Sequence, residues 1–537
     1  MKFISTRGFA ALALSSSLVL GTASCNKDLD RTPFFDLNTE SVYQDPAGQR
    51  AALAKLYAGL ITTGQKTTGA QDILGDDEGA TSYTRVFWKM QELTTDEAVI
   101  AWGDGSIQNL NDNTWSSNNN FVSAMYNRIY FQVVLCNDFI REMSDAKLSE
   151  RGISGENLTQ ARRYRAEARF LRALSYYHAL DMFGGNVPFV TEADLTGKFF
   201  PRQTNAAELF SYIETELKAI DGELVPARQA EYGRADQAAA WTLLSKLYLN
   251  AQTYTGTARN TDVIDYTTRI IGSGFTLTPR YSNLFRADND RAGASEIIFP
   301  IIADGLRTRT YGGTTFLVHA AIGGSLSTDT MGVNSGWAGL RARKNLPLVF
   351  GLTTAAQAAA PADKRALFFT SRQNLDNTSL TTFRDGWLVT KWRNRTSTNA
   401  PGSDPTGEFV DTDIPLFRLG DVYLMYAEAH LRGGGGSRQT AIQYVNALRT
   451  RGYGNASGNV TSITLDGILD ERMRELYWEG HRRTDLIRFG KFAGSSYLWP
   501  FKGGVAGGTD VPTFRNIFPL PVSDLTANPT LRQNPGY

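Results

Sequence analysis

Leu416-Phe417-Arg418-Leu419-Gly420-Asp421-Val422-Tyr423-Leu424-Met425-Tyr426-Ala427-Glu428-Ala429-His430 sets Leu419, Val422, Tyr423, Tyr426, Ala427 and His430 at the three-and-four spacing of one helix face. Gly433-Gly434-Gly435-Gly436 then breaks the helix, because glycine accepts the left-handed conformation that other residues resist. A second helix carries Ala441, Ile442, Val445, Leu448 and Arg449 and closes at Arg451-Gly452. The two make an antiparallel pair of about the size of a tetratricopeptide unit. A third helix is expected over Leu465–Gly480, with Glu471, Glu475 and Glu479 on one face and arginines between them. Such pairs cannot bury both faces alone and need stacked neighbours.

The neighbours are legible outward from Pro415–Phe489. Asp45-Pro46 starts a helix through Leu53, Leu56, Tyr57 and Leu60. Helical spacing returns over Phe121–Met143, Ala161–Phe183, Ala206–Leu224 and Ala235–Asn250, and Asp262–Gly272 pairs with the last. Between them the character changes. Thr62–Asn120 is rich in Gly, Asp, Asn and Trp, and Gly274–Asp413 holds strand-like runs (Glu296–Ile302, Thr314–Val318, Gly386–Lys391) among glycine- and asparagine-rich turns. The expected architecture is mainly α. Helix pairs form the scaffold over residues 45–60, 121–272 and 415–490, and loop-rich insertions with short strands occupy 62–120 and 274–413. Residues 45–537 form one domain in this reading, and binding residues concentrate on such loops.

Of 537 residues, 42% are hydrophobic and 20% charged, enough for a sizeable core. A net charge of +1 with no basic block argues against nucleic acid as a partner. Two cysteines, Cys25 and Cys136, make no disulfide framework. Lys2 and Arg7 precede the apolar run Phe9–Leu20, and Thr22-Ala23-Ser24 leads directly into Cys25. Residues 1–24 therefore read as a lipoprotein signal peptide, with Cys25 the acylated first residue and residues 25–44 a tether and arm. An ordinary secretory signal with an incidental cysteine is the other reading. Cys136, beside Val133 and Ile140, is expected to be a buried thiol.

The chain does not carry the signatures of common catalysts. Its four histidines form no H-x-x-x-H pair, and there is no G-x-S-x-G, G-x-x-x-x-G-K or G-x-G-x-x-G. Glycoside hydrolysis needs two carboxylates facing across a cleft, which abundant acids leave open. The densest series, Glu471/Glu475/Glu479, is better read as a salt-bridge ladder with Arg474, Arg482 and Arg483. A purely protein-binding helical adaptor is a further alternative.

Aromatic rings among amides and charges mark the insertions. Trp88 and Trp102 lie near Asp76, Asp77, Glu78 and Arg85, whereas Tyr311 and Trp337 are flanked by glycines. A ring beside glycine has an open face that can lie against the C–H face of a sugar, with acids, amides and arginine taking the hydroxyls. Equally, such rings can fill a loop-rich core. Asp288-Asn289-Asp290 and Asp411-Thr412-Asp413 are oxygen-rich, fit for calcium or simply for turns and caps.

Longer matches then carry a resemblance: Cys25–Asp30, Glu92–Glu97, Arg169–Leu174, Asp413–Leu419, Glu479–Leu486 and Gln533–Tyr537. In these, over essentially its whole length, the chain resembles the SusD/RagB family of outer-membrane glycan-binding lipoproteins in Bacteroidetes nutrient uptake. The resemblance implies a non-catalytic, lipid-anchored, cell-surface protein of SusD-like fold. Its implied partner is a SusC-like TonB-dependent transporter, covered as by a hinged lid. Asp77-Glu78-Gly79, Tyr311-Gly312-Gly313 and Gly336-Trp337 match segments of the family's starch-binding branch, which implies an α-glucan ligand. By position, Tyr311 and Trp337 would form two sides of an aromatic arc, Trp102 would complete or flank it, and Asp77 and Arg85 would contact hydroxyls. Asp290, Asp411 and Asp413 match a structural calcium site, and no catalytic cofactor is implied. Two departures stand out: an expected tryptophan two positions before Trp102 is Ile100, and a ligand asparagine falls at Asp104 or Gly105. A different glycan is therefore the alternative ligand.

Overall fold

The computed structural model describes residues 38–66, 71–194, 197 and 199–537. Cys25, the signal segment and most of the tether lie outside the described residues. Among those described, no helix is long and apolar enough to cross a membrane.

Helices packed in pairs form the bulk of the chain. Asn120–Glu142 lies against Gly155–Phe183, Gln237–Leu249 against Asn260–Gly272, and Leu419–Leu431 against Arg438–Tyr453. The last two pairs also touch, through Asn260–Gly272 and Leu419–Leu431, so the helical layers are continuous. Their ends are fixed locally. Asp236 accepts from Ala239 N at 3.0 Å, and Asn119 accepts from Phe121 N and Val122 N at 3.0 and 3.1 Å, satisfying amides that a helix start leaves free. Gly155–Phe183 stops at Gly184, whose φ of 72° is the left-handed cap that glycine favours. Buried side chains of nearly every helix merge into one core, to which Cys136 contributes a thiol pushed up to about 12 by burial.

Three antiparallel two-stranded ribbons tie the insertions down: β1 (Ala98–Ile100) with β3 (Leu340–Ala342), β2 (Ile297–Ile301) with β6 (Ile414–Arg418), and β4 (Phe368–Phe369) with β5 (Leu388–Val389). β6 runs straight into Leu419–Leu431, and Arg418 at the junction is buried among Glu296, Glu475 and Glu479 at 3.0, 2.6 and 2.7 Å. Arg365 adds Asp363, Glu471 and Glu475 at 2.6, 2.8 and 3.0 Å. The insertions are thus joined to the scaffold by charges held in the core.

Three expectations need correction. The first insertion holds a wholly helical stretch, Tyr83–Glu92, nine of whose ten residues are buried. Thr314–Val318 is not a strand. It lies in the helix Gly313–Ala320, buried on every side, so its apolar run has no polar face to reveal the period. Leu465–Gly480 ends earlier, at Leu476, because Tyr477 is extended and Trp478 has φ 62°. Glu479 therefore lies beyond the helix. The acid series is ion-paired, but with partners distant in sequence: of the expected arginines only Arg474 reaches it, at 3.1 Å from Glu471. Arg482 pairs with Asp96 at 2.8 Å, and Arg483 donates to the carbonyls of Arg515 and Asn516.

Candidate binding cleft

The two insertions meet at one open cleft of about 640 Å³, lined by Asp77, Glu78, Arg85, Trp102, Asp104, Tyr311 and Trp337. All five residues expected at a ligand site, Asp77, Arg85, Trp102, Tyr311 and Trp337, come together there from four separate segments.

Close backbone approach builds one wall. Gly79 has φ 85°, and a Cβ there would sit 2.3 Å from the backbone of Tyr311 and Gly312, so only glycine lets the loops touch. Across this contact the buried Glu78 carboxylate accepts from Tyr311 N at 2.7 Å and Thr310 Oγ1 at 2.9 Å. Its neighbour Asp77 turns outward, half exposed, and takes both Nη atoms of Arg85 at 3.1 and 3.4 Å. Arg85, in the first turn of Tyr83–Glu92, also donates to Tyr311 O at 3.1 Å, and its guanidinium lies 4.7 Å from the Phe316 ring. Burial lowers its pKa, an effect that the nearby carboxylates of Asp77, Asp104 and Glu78 oppose.

The rings form the opposite side. Trp102 follows β1, and its Nε1 donates to Trp337 O at 3.0 Å. Its indole lies where a Cβ on Gly339 would be, 2.6 Å away, which is why that loop position is glycine. Trp337 N, Ala338 N and Gly339 N donate to His319 O, Ile322 O and Ala320 O at 2.8–2.9 Å, fastening the loop to the end of Gly313–Ala320. The His319 ring stacks behind Trp337 at 4.8 Å and 23°. Tyr311 donates its hydroxyl to Glu408 and packs its ring on Phe409 at 5.2 Å. Trp102 and Trp337 are 6.3 Å apart at 44°, and Trp337 and Tyr311 are 6.1 Å apart at 65°. All three rings line the cleft and, tilted by these angles, do not make one flat surface.

Sequence reasoning missed Glu408 and His319, which hold this arc from behind. The Glu408 carboxylate takes the Tyr311 hydroxyl, raising that phenol to about 12, and its carbonyl lies 3.0 Å from His319 Nε2. Burial lowers His319 to about 4, so it is neutral near pH 7. Asp404 folds the supporting turn by accepting from Thr406 N, Glu408 N and Phe409 N at 3.0, 3.1 and 2.9 Å. Asp404-Pro405-Thr406-Gly407 announces a turn, but nothing in it announces what the turn supports.

Other candidates separate. Trp88 is a core residue, its Nε1 donating to Trp478 O at 3.0 Å. Ile100 is fully buried in β1 and does not line the cleft, so no aromatic from that position joins the arc. Asp104 does line it.

Asp290 and Asp411 lie near enough to Asp413 for their charges to bear on it. Asp413 is raised to about 7, chiefly by burial, with the Asp290 and Asp411 charges adding to the shift. Asp411 accepts from Gly305 N at 2.7 Å and Asp413 from Ala303 N at 2.8 Å. Among the described residues no three His, Cys, Asp or Glu side chains are grouped to hold a metal ion. The hard, mutually repelling oxygens suit calcium chemically, but a calcium ion would need carbonyl or water ligands as well.

Comparison with known proteins gives concordant results. The profile of the SusD family matches residues 348–537, and one described as "Starch-binding associating with outer membrane" matches residues 38–249. The starch-binding protein SusD of Bacteroides thetaiotaomicron is 36% identical, the alignment covering 98% of each chain. Among solved structures, surface glycan-binding protein A from Bacteroides thetaiotaomicron, in complex with laminarihexaose, has a TM-score of 0.68 at 21% identity, covering 91% of this chain and 99% of that one. A laminarin-binding SusD-like protein has a TM-score of 0.66, also at 21% identity, with the same coverage. At that identity the likeness is one of fold.

Proposed function

The chain belongs to the SusD/RagB family, and from that premise we propose that it is a non-catalytic glycan-binding protein of the cell surface whose cleft takes starch-type α-glucan. The observation that carries this reading is the arc of Trp102, Trp337 and Tyr311 lining one cleft with Asp77 and Arg85. Tilted rings follow the curvature of an α-linked chain, covering its C–H faces, while the carboxylates and guanidinium bond its hydroxyls. Three carboxylates, Asp77, Glu78 and Asp104, line the cleft against one arginine, Arg85, and this excess of acids favours an uncharged glycan over an anionic one. The 36%-identical relative named as starch-binding supports the same choice.

Anchoring by acylated Cys25 and delivery of the glycan to a SusC-like TonB-dependent transporter in the outer membrane complete the proposal. The signal-plus-cysteine sequence supports the first, and family membership supports the second. A structural calcium at Asp290, Asp411 and Asp413 belongs to it too, on the family resemblance; these side chains are not grouped to hold an ion as they stand, so binding would have to draw them together.

A second reading keeps the role and changes the sugar. The burial of Ile100 leaves the arc without an aromatic at that position, and a neighbour in fold was solved with the β-glucan laminarihexaose. Affinity electrophoresis through gels holding amylopectin, pullulan, laminarin, dextran, levan or xylan separates the two. Retardation by amylopectin and pullulan is expected. Retardation by laminarin alone overturns starch but keeps the role, and none by any polysaccharide contradicts both.

A further inference from the structure

Beside the aromatic cleft lies a second depression of about 570 Å³, lined among others by Leu74, Asp76, Asn120, Ser123 and Asn127. Consecutive residues on two loops divide between the two hollows. Asp77 lines the cleft and Asp76 the trough. Asp104 lines the cleft, and Gly105 beside it is packed so closely that a Cβ would meet Asn120 Nδ2 at 2.8 Å and Asp76 Oδ2 at 3.1 Å. Gly105 also has φ 46°, so this ridge is built on a glycine that its backbone requires. Cleft and trough therefore share a wall one residue thick.

The trough's chemistry differs from the cleft's. Asn120, Ser123 and Asn127 recur at three- and four-residue spacing on the solvent side of the helix Asn120–Glu142. Their neighbour Asn119 is committed to capping that helix, whereas these three side chains make no hydrogen bond to another described residue. Two amides and a hydroxyl offer donors and acceptors together, matching the mixed character of sugar hydroxyls. Leu74, 84% exposed at the lip, supplies an apolar contact for a pyranose C–H face.

We propose that this trough is a second subsite, taking further uncharged, hydroxyl-bearing units of the same glycan chain by amide contacts in place of aromatic stacking. It rests on the glycan-binding reading of the cleft and adds to it a preference for length. A short oligosaccharide fills the arc alone, and a longer one crosses the Asp76–Gly105 ridge and reaches Asn120 and Asn127.

Calorimetric titration of the soluble protein with short and long malto-oligosaccharides tests this, using wild type and Asn120→Ala/Asn127→Ala. Wild type is expected to hold the long chain about tenfold more tightly than the short, and the variant to lose that gain while binding the short chain within about twofold of wild type. Equal affinity of wild type for both lengths overturns the subsite, as does a variant that keeps the length preference. A variant that loses both ligands equally, with an unchanged melting curve, assigns these amides to the cleft and also overturns it. Binding of neither length by wild type contradicts the α-glucan reading itself.

Discussion

Arg418 and Arg85 are both almost fully buried, yet their surroundings differ in a way that separates scaffold from site. Arg418 sits among three carboxylates, each within 3.0 Å, and their charges hold its pKa well above the usual arginine range despite burial. Arg85 has one close carboxylate partner, the half-exposed Asp77, and burial lowers its pKa. Its Nε is buried without a hydrogen-bond partner. Around Arg418 the charges are answered chiefly by opposite charges of the protein itself. In the cleft, donors and acceptors are left open and rings are held from behind, so that the answering groups can come from a ligand.

That contrast can be broken most forcefully at its closed end. Arg418→Met leaves Glu296, Glu475 and Glu479 together in the core with too few cations, and removing one member of such a buried set costs about 3–5 kcal/mol. Thermal unfolding should show a large drop in Tm, whereas Arg85→Met should change Tm much less and glycan affinity much more.

Acid titration probes the same closed region more gently. Burial lowers His178 and His481 from 6.5 to about 3. Below pH 6.5 the unfolded chain takes up protons that the folded one refuses, so the stability these residues contribute is complete above 6.5 and lost as pH falls toward 3. Glu92, raised by burial to about 7, works oppositely, contributing more as pH falls from 7 to 4.5. Comparing His178→Gln with wild type cancels Glu92. The variant should lose about 3 kcal/mol less than wild type between pH 6.5 and about pH 4.

At the open end, Glu408 is the sharper probe. Glu408→Ala frees the Tyr311 hydroxyl and should weaken glycan binding about tenfold, while Glu408→Gln, which keeps an acceptor, should stay within about threefold. In the alanine variant Tyr311 should also ionise nearer its ordinary value of 10 than the raised value of about 12. The smallest effect expected is that of chelation: if the proposed calcium is bound near Asp413, removing it should lower Tm by a few degrees and leave the cleft's affinity unchanged, whereas an unchanged melting curve removes the ion from the account.

The same contrast explains what could be read in advance. Leu419–Leu431 and its partner were legible because three-and-four spacing survives in their sequences and a glycine follows each. Gly313–Ala320 was misread as a strand because burial on all sides erases the periodicity. Tyr83–Glu92 keeps Tyr83, Val86, Phe87 and Met90 at three-and-four spacing, but it is short and set among Gly-, Asp- and Asn-rich residues that read as loop. At the cleft, Tyr311 and Trp337 announced themselves by their flanking glycines. Trp88, which shares the first insertion with Trp102, belongs to the core, where it donates to Trp478 O, far away in sequence. Glu408 and His319 act through backbone and ring contacts that no local pattern encodes.

The most direct test of the central claim is calorimetric titration of wild type and Tyr311→Ala/Trp337→Ala with a malto-oligosaccharide, alongside their melting curves. Both rings are partly exposed and outside the closed charge network, so Tm should move little while affinity falls about a hundredfold or more. A double variant that melts like wild type and binds as tightly would contradict the account.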